Sequence, residues 1–183
     1  MSGRPGLFLC VLFVFAFVEG HVGRAHAEQV FMTPETFLNE SFGDAIPAPS
    51  FLWLKADVKE AAREILDRDL LGLRTRYWRN EAQTVWMLDE IGKTQPISVG
   101  ISVREGAIDR LQVLVYRESH GWEVRYPFFT DQFKGMKLVD GFALSEQVDG
   151  ISGATLSVRA LTKLARLALF YDGYVRAEAQ SGE

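Results

Sequence analysis

The chain has 183 residues, 48% of them hydrophobic and 24% charged, which suits one domain with a modest core. Its 20 basic and 24 acidic residues leave a net charge of −4, which argues against nucleic acid as the main partner. With one cysteine, a disulfide framework is excluded.

The first residues carry Arg4, an apolar run from Leu7 to Val18, then Ala25-His26-Ala27. That is the basic region, hydrophobic region and A-x-A cleavage pattern of a secretory signal peptide. The run is short for a bilayer span, and Glu19 ends it. An uncleaved anchor is the alternative. Residues 1–27 are therefore read as the signal peptide, with Glu28 as the new N-terminus. Cleavage removes Cys10, and with it thiol catalysis and cysteine-based metal binding. It also removes His21 and His26, so His120 alone remains and multi-histidine zinc sites are excluded. A Ser-His-Asp hydrolase would have to use His120, and no G-x-S-x-G elbow is present. Losing Arg4, Arg24 and Glu19 takes basic residues from 20 to 18 and acidic ones from 24 to 23, a net charge of −5. No second apolar stretch is long enough to span a membrane. The expected location is periplasmic or otherwise extracytoplasmic.

Residues 28–50 hold Pro34, Pro47 and Pro49 with little periodicity, and read as an extended N-terminal arm or loop. The main domain is expected over residues 51–175, with 176–183 as a C-terminal tail. Asp57 to Leu71 reads as an amphipathic helix. Its stripe is Val58, Ala61/Ala62, Ile65/Leu66 and Leu70, Asp57 and Glu60 form a capping-box-like start, and Gly72 is a stop signal. A helix packed on a sheet is the plain reading of this stripe, and a partner-docking helix the functional one.

The period then changes to two. Strands are expected at Arg74–Arg79, Thr84–Leu88, Ile97–Val103 and Ala107–Tyr116. Ile97, Val99, Ile101 and Val103 should share one face of their strand, and Leu111, Val113 and Val115 one face of the next. Short links at Asn80-Glu81, Ile91-Gly92-Lys93 and Glu105-Gly106 imply an antiparallel meander with one covered face. Sheet plus helices gives an α+β fold class.

Glu118-Ser-His-Gly-Trp122, Pro127-Phe-Phe-Thr130 and Gln132-Phe-Lys-Gly135 follow as loop chemistry. Trp122, Phe128 and Phe129 are able to supply an aromatic face to a flat ligand, or to close the core. Backbone donors near Gly121, and Ser119, suit ring carbonyls and nitrogens. His120 reads as a polar loop residue, and Glu118 as either orienting that loop or solvated.

Asp149-Gly-Ile-Ser-Gly-Ala-Thr-Leu-Ser157 leads into a second helical run, Leu156 to Tyr171. Leu161, Leu164, Leu167/Ala168 and Tyr171 recur at helical spacing, with Arg159, Lys163 and Arg166 off the stripe. Ser and Thr ahead of such a pattern are cap residues. A helix start, with unpaired N–H groups and a partial charge of roughly +0.5, suits an anion such as phosphate. A tight turn and a cap account equally for these local features.

Asp149-x-x-Ser152-Gly153-Ala154-Thr155-x-Ser157 resembles the flavinylation motif of the FMN-binding domain family. That family includes the C subunit of the Na+-translocating NADH:quinone reductase and the G subunit of the Rnf complex. Glu118 and Gly121 match the ends of the family's Glu-Thr-Pro-Gly loop, with Ser119 and His120 replacing its middle, and Gln132-Phe133-Lys134-Gly135 matches a Q-F-x-G stretch. The resemblance implies FMN as cofactor, bound covalently through its phosphate to Thr155. It implies cofactor contacts from Asp149, Ser152, Gly153, Ala154, Thr155, Ser157, Glu118 and Gly121; Trp122 is a candidate contact through its aromatic face, and Arg159, one turn after Thr155, either adds a charge contact or is a solvated helix arginine. It implies a Mg2+-dependent flavin transferase, which uses FAD, as maturation partner, and a membrane-embedded redox protein as electron partner. The rivals are a non-covalent flavin reductase or sensor, and a cofactor-free exported interaction module.

Overall fold

The alternating runs form the centre of a six-stranded antiparallel sheet in the computed structural model, which describes residues 28–181. The expected signal peptide, with Cys10, His21 and His26, lies outside the described residues. β3 (Arg74–Arg79), β4 (Gln83–Ile91), β5 (Pro96–Arg104) and β6 (Ala107–Tyr116) make the meander. β1 (Gln29–Val30) adds to β6 and β2 (Ser50–Trp53) to β3, giving the order β1-β6-β5-β4-β3-β2. With its packed helices, the protein is α+β.

Ile97, Val99, Ile101 and Val103 are buried on one face of β5, as their alternation requires. On β6 the alternation breaks. Val99 pairs with Val113 but Ser98 pairs with Val115, so Leu114 is an extra residue in a bulge. Val115 therefore leaves the face shared by Leu111 and Val113, and Tyr116 enters the main core in its place.

α2 (Ala56–Leu66) and α4 (Thr155–Ser181) cover that face. Leu161, Leu164, Leu167, Ala168 and Tyr171 are all buried, each full leucine contributing about 1.5–3 kcal/mol. α2 stops at Leu66 rather than Leu71 for a tertiary reason. Lys163 Nζ on α4 donates to the Leu66 carbonyl at 2.6 Å and pairs with Asp67 at 2.9 Å, while Asp67 turns left-handed at φ 55°. At its start, Lys55 occupies the cap position without a side-chain bond. Asp57 is not a cap but accepts the Tyr174 hydroxyl at 3.0 Å. α4 also runs on through the expected tail to Ser181.

Residues 28–50 are not simply an extended arm. Pro34 is the first residue of α1 (Pro34–Phe42), where its missing N–H costs nothing, and Thr33 accepts the Thr36 N–H at 3.1 Å. α1 covers the other face of the sheet with Phe37 and Leu38, so both faces are covered where one was expected. Gly100 permits this. A Cβ there would stand 2.8 Å from the Phe37 ring. α3 (Pro127–Thr130) and a small hairpin, β7 (Leu138–Val139) with β8 (Ala143–Leu144), lead the chain back to α4.

Candidate functional site

Three separate segments meet where α4 begins. They are the turn between β4 and β5, the loop after β6, and the run Ile151–Thr155. Together they line a cleft of about 360 Å3, formed by Lys93, Glu118, Ser119, His120 and the stretch 153–157.

Glu118 builds one wall. Its Oε1 accepts the N–H groups of Lys93, of Thr94 at 2.5 Å and of Gln95 at 2.8 Å, and its Oε2 takes the Thr94 hydroxyl at 3.2 Å. One carboxylate thus folds the whole β4–β5 turn around itself and sets Lys93 at the cleft. Burial pushes this carboxyl up, but the three backbone donors outweigh it and hold its pKa below the ordinary value. Its part in the fold is to shape the turn, with Oε1 taken up by the three backbone donors.

Gly121 joins the loop to α4. It adopts φ 86°, and a Cβ there would lie 2.8 Å from Ser157 Oγ, 3.0 Å from Tyr116 Oη and 3.2 Å from Ala154 Cβ. Only a glycine lets the two segments approach this closely. The Tyr116 hydroxyl donates to the His120 carbonyl at 2.5 Å and lies 2.8 Å from Ser157 Oγ. Its single hydrogen is thereby used, so Ser157 is the donor in the second bond. Burial pushes the Tyr116 hydroxyl up. Ser157 and Ala154 are buried, so their part is to seat the helix start against β6.

The segment ahead of α4 is held from its other side by Gln132, whose Oε1 takes the Asp149 N–H at 2.7 Å. Gln132 is placed in turn by its neighbours. Phe133 is buried against Phe129, with ring centroids 5.6 Å apart, and Gly135 N–H donates to the Ile108 carbonyl at 2.7 Å. The Q-F-x-G stretch is thus a strut from the start of β6 to Asp149.

Thr155 is the first residue of α4 and is exposed in the cleft beside Gly153 and Leu156. Ala154 stands at the cap position, where Ser or Thr was expected, as the Val158 N–H to Ala154 carbonyl bond of 2.9 Å shows. A methyl side chain satisfies no N–H. The N–H groups of Thr155, Leu156 and Ser157, the Thr155 hydroxyl and the Lys93 ammonium therefore form a donor set around one opening. That set fits a phosphate, and the wall of Ser119 and His120 offers polar groups to a larger attached ring.

Of the other sequence candidates, Ser152 is exposed in the turn before Gly153, and Asp149 is exposed further along. Trp122 does not line the cleft. It packs on Tyr126 at 5.7 Å and under Arg125 at 5.0 Å. Phe129 is in the core and Phe128 is exposed outside the cleft. Arg159 is also outside it, and its charge acts on Asp67. Two residues were not among the expected contacts. Lys93 sits in what reads as an ordinary turn, and nothing local links it to Glu118, 25 residues away. Gln132 belongs to a quoted motif, but its partner at Asp149 is visible only in three dimensions.

Residues 92–169 match the family model of the FMN-binding domain. That segment begins at the β4–β5 turn and ends within α4, so it holds every wall of the cleft. No curated protein matches the sequence. Among solved structures, the chain is similar to Shewanella oneidensis NqrC, with a TM-score of 0.53 and 15% identity over 72% of this chain and 81% of that one. The fold is that of NqrC, and residues 92–169 are a member of the FMN-binding domain family with FMN as their cofactor.

Proposed function

We propose that this FMN-binding domain carries its flavin covalently, by a phosphoester to Thr155 Oγ1, and acts as an exported electron carrier between a membrane-embedded redox partner and an extracytoplasmic acceptor. The observation behind this is the position of Thr155. It is the one hydroxyl that is both exposed in the cleft and set on the uncapped first turn of α4, among donors suited to phosphate. Bound FMN supplies one- and two-electron redox chemistry. The remaining work falls to the chain's own residues. The first-turn N–H groups and Lys93 would hold the phosphate, and Ser119 and His120 would offer polar groups to the ring. Glu118 and Gln132 fix the two segments that must meet.

In the modification, Thr155 Oγ1 forms a bond to the flavin-side phosphorus of FAD. The pyrophosphate P–O bond breaks, AMP leaves, and the hydroxyl proton goes to solvent or base. A separate Mg2+-dependent flavin transferase fits this step, because an exposed Thr155 with Ser152 and Gly153 beside it is open to a second protein. A covalent tether also suits a compartment where lost FMN is not readily replaced.

Acid precipitation tests the tether. Flavin that pellets with the wild-type protein, and is missing from Thr155→Ala, supports it, while flavin released to the supernatant favours a non-covalent reductase or sensor. Thr155→Ser keeps the hydroxyl and should retain partial modification.

A further inference from the structure

The edge of the sheet carries a surface that the flavin site does not use. On β2, Leu52 faces the core, so alternation sends Phe51 and Trp53 to the opposite face, where they are 41% and 56% exposed. Arg76 and Arg74 stand directly across the ladder from them. The Arg74 guanidinium lies 4.0 Å from the Phe51 ring centroid and 5.7 Å from that of Trp53. This face of β2 and β3 carries Arg74 and Arg76, and the two strands hold no carboxylate, in a chain whose net charge is −4.

We propose that this face is a docking site for the surface of an anionic phospholipid bilayer. Charge complementarity selects the occupant. An acidic protein approaches an anionic bilayer only through a local positive face, and this is a face where guanidinium groups alternate with aromatic rings. Guanidinium heads reach lipid phosphates while the indole and phenyl rings sit at headgroup depth. A second copy across the open β2 edge would bring arginines of like charge together. No helix among the described residues is long and apolar enough to cross a membrane. The inference is independent of how the flavin is attached.

The test is co-sedimentation of the purified flavoprotein with vesicles of phosphatidylcholine alone or mixed with phosphatidylglycerol. Binding only to the anionic vesicles, weakened by salt, is expected. Arg74→Gln/Arg76→Gln should weaken that binding about 25-fold, or about fivefold for each guanidinium removed. Trp53→Ala should weaken it without changing the salt dependence. Flavin absorbance, unchanged in both variants, reports that the domain is folded. Wild-type protein left in the supernatant, equal binding to neutral vesicles, or variants that bind like wild type would overturn the proposal. A Trp53-dependent dimer in analytical sedimentation, or arginine-dependent binding of an oligonucleotide in place of vesicles, would overturn it too.

Discussion

Near its C-terminal end α4 buries Asp172 at 1% exposure, while at its N-terminal end it leaves Thr155 exposed over a cleft. Around Asp172 the polar groups are paired in a chain. Trp86 Nε1 donates to Thr84 Oγ1 at 2.9 Å, Thr84 donates to Asp172 at 2.7 Å, and Arg176 Nε reaches both carboxylate oxygens at 2.9 Å. At the other end the cap residue is an alanine, and the first-turn N–H groups face an opening. One helix thus locks the sheet with a closed network and presents a site with an unfinished one. Stability is concentrated where hydrogen bonds are complete, and binding capacity where they are left open.

The sharpest way to break this contrast is at Thr155. Thr155→Ala should remove all tethered flavin while the melting temperature stays within a few degrees, read by in-gel flavin fluorescence and thermal unfolding. Asp172→Ala should do the reverse. It strands Thr84 and Arg176, and should cost about 2–3 kcal/mol in denaturant unfolding while leaving the flavin tethered in the folded fraction. Gly121→Ala joins the two effects. Its strained φ and its clash with Ser157 Oγ should cost about 1–3 kcal/mol and lower flavin loading as the cleft wall shifts.

Glu118 gives a pH signature to the open end. Its folded-state pKa lies below the ordinary glutamate value of 4.5, so its contribution is present above that value and is lost as pH falls through 4.5 toward the folded pKa. Glu118→Gln should therefore cost about 1–3 kcal/mol at pH 7 and flatten the loss of stability that wild type shows below about pH 4.5. An unchanged acid-unfolding profile would contradict its role in the turn. The smallest effect separates two cations. Lys93→Gln should slow flavin attachment several-fold, whereas Arg159→Gln should leave it unchanged and alter stability by less than about 0.5 kcal/mol.

Much of the frame was legible in the sequence. The bounds of β3 and β6 are those expected from the sequence, and the stripe of α4 is the stripe of its leucines. What escaped depends on contacts between distant segments. Pro34 reads as a breaker until Phe37 is seen lying over Gly100. The end of α2 is set by Lys163, almost a hundred residues away, and Val115 changes sides because of a bulge that no local pattern announces. The same holds for the site. Thr155 and Gly153 stand out through the resemblance of their run to the flavinylation motif, since a tight turn and a cap account equally for them locally, and Gly121 through its match to the end of the Glu-Thr-Pro-Gly loop. Lys93 and Gln132 do not, because their purpose comes from Glu118 and Asp149. Trp122, chosen for its aromatic face, spends that face on Arg125 and Tyr126.

The most direct test of the central claim is the intact mass of the exported protein co-produced with a flavin transferase, followed by peptide mapping. A gain equal to FMN less one water, located on Thr155, is the predicted result. An unmodified mass, or a flavin mapped to any other residue, would contradict it.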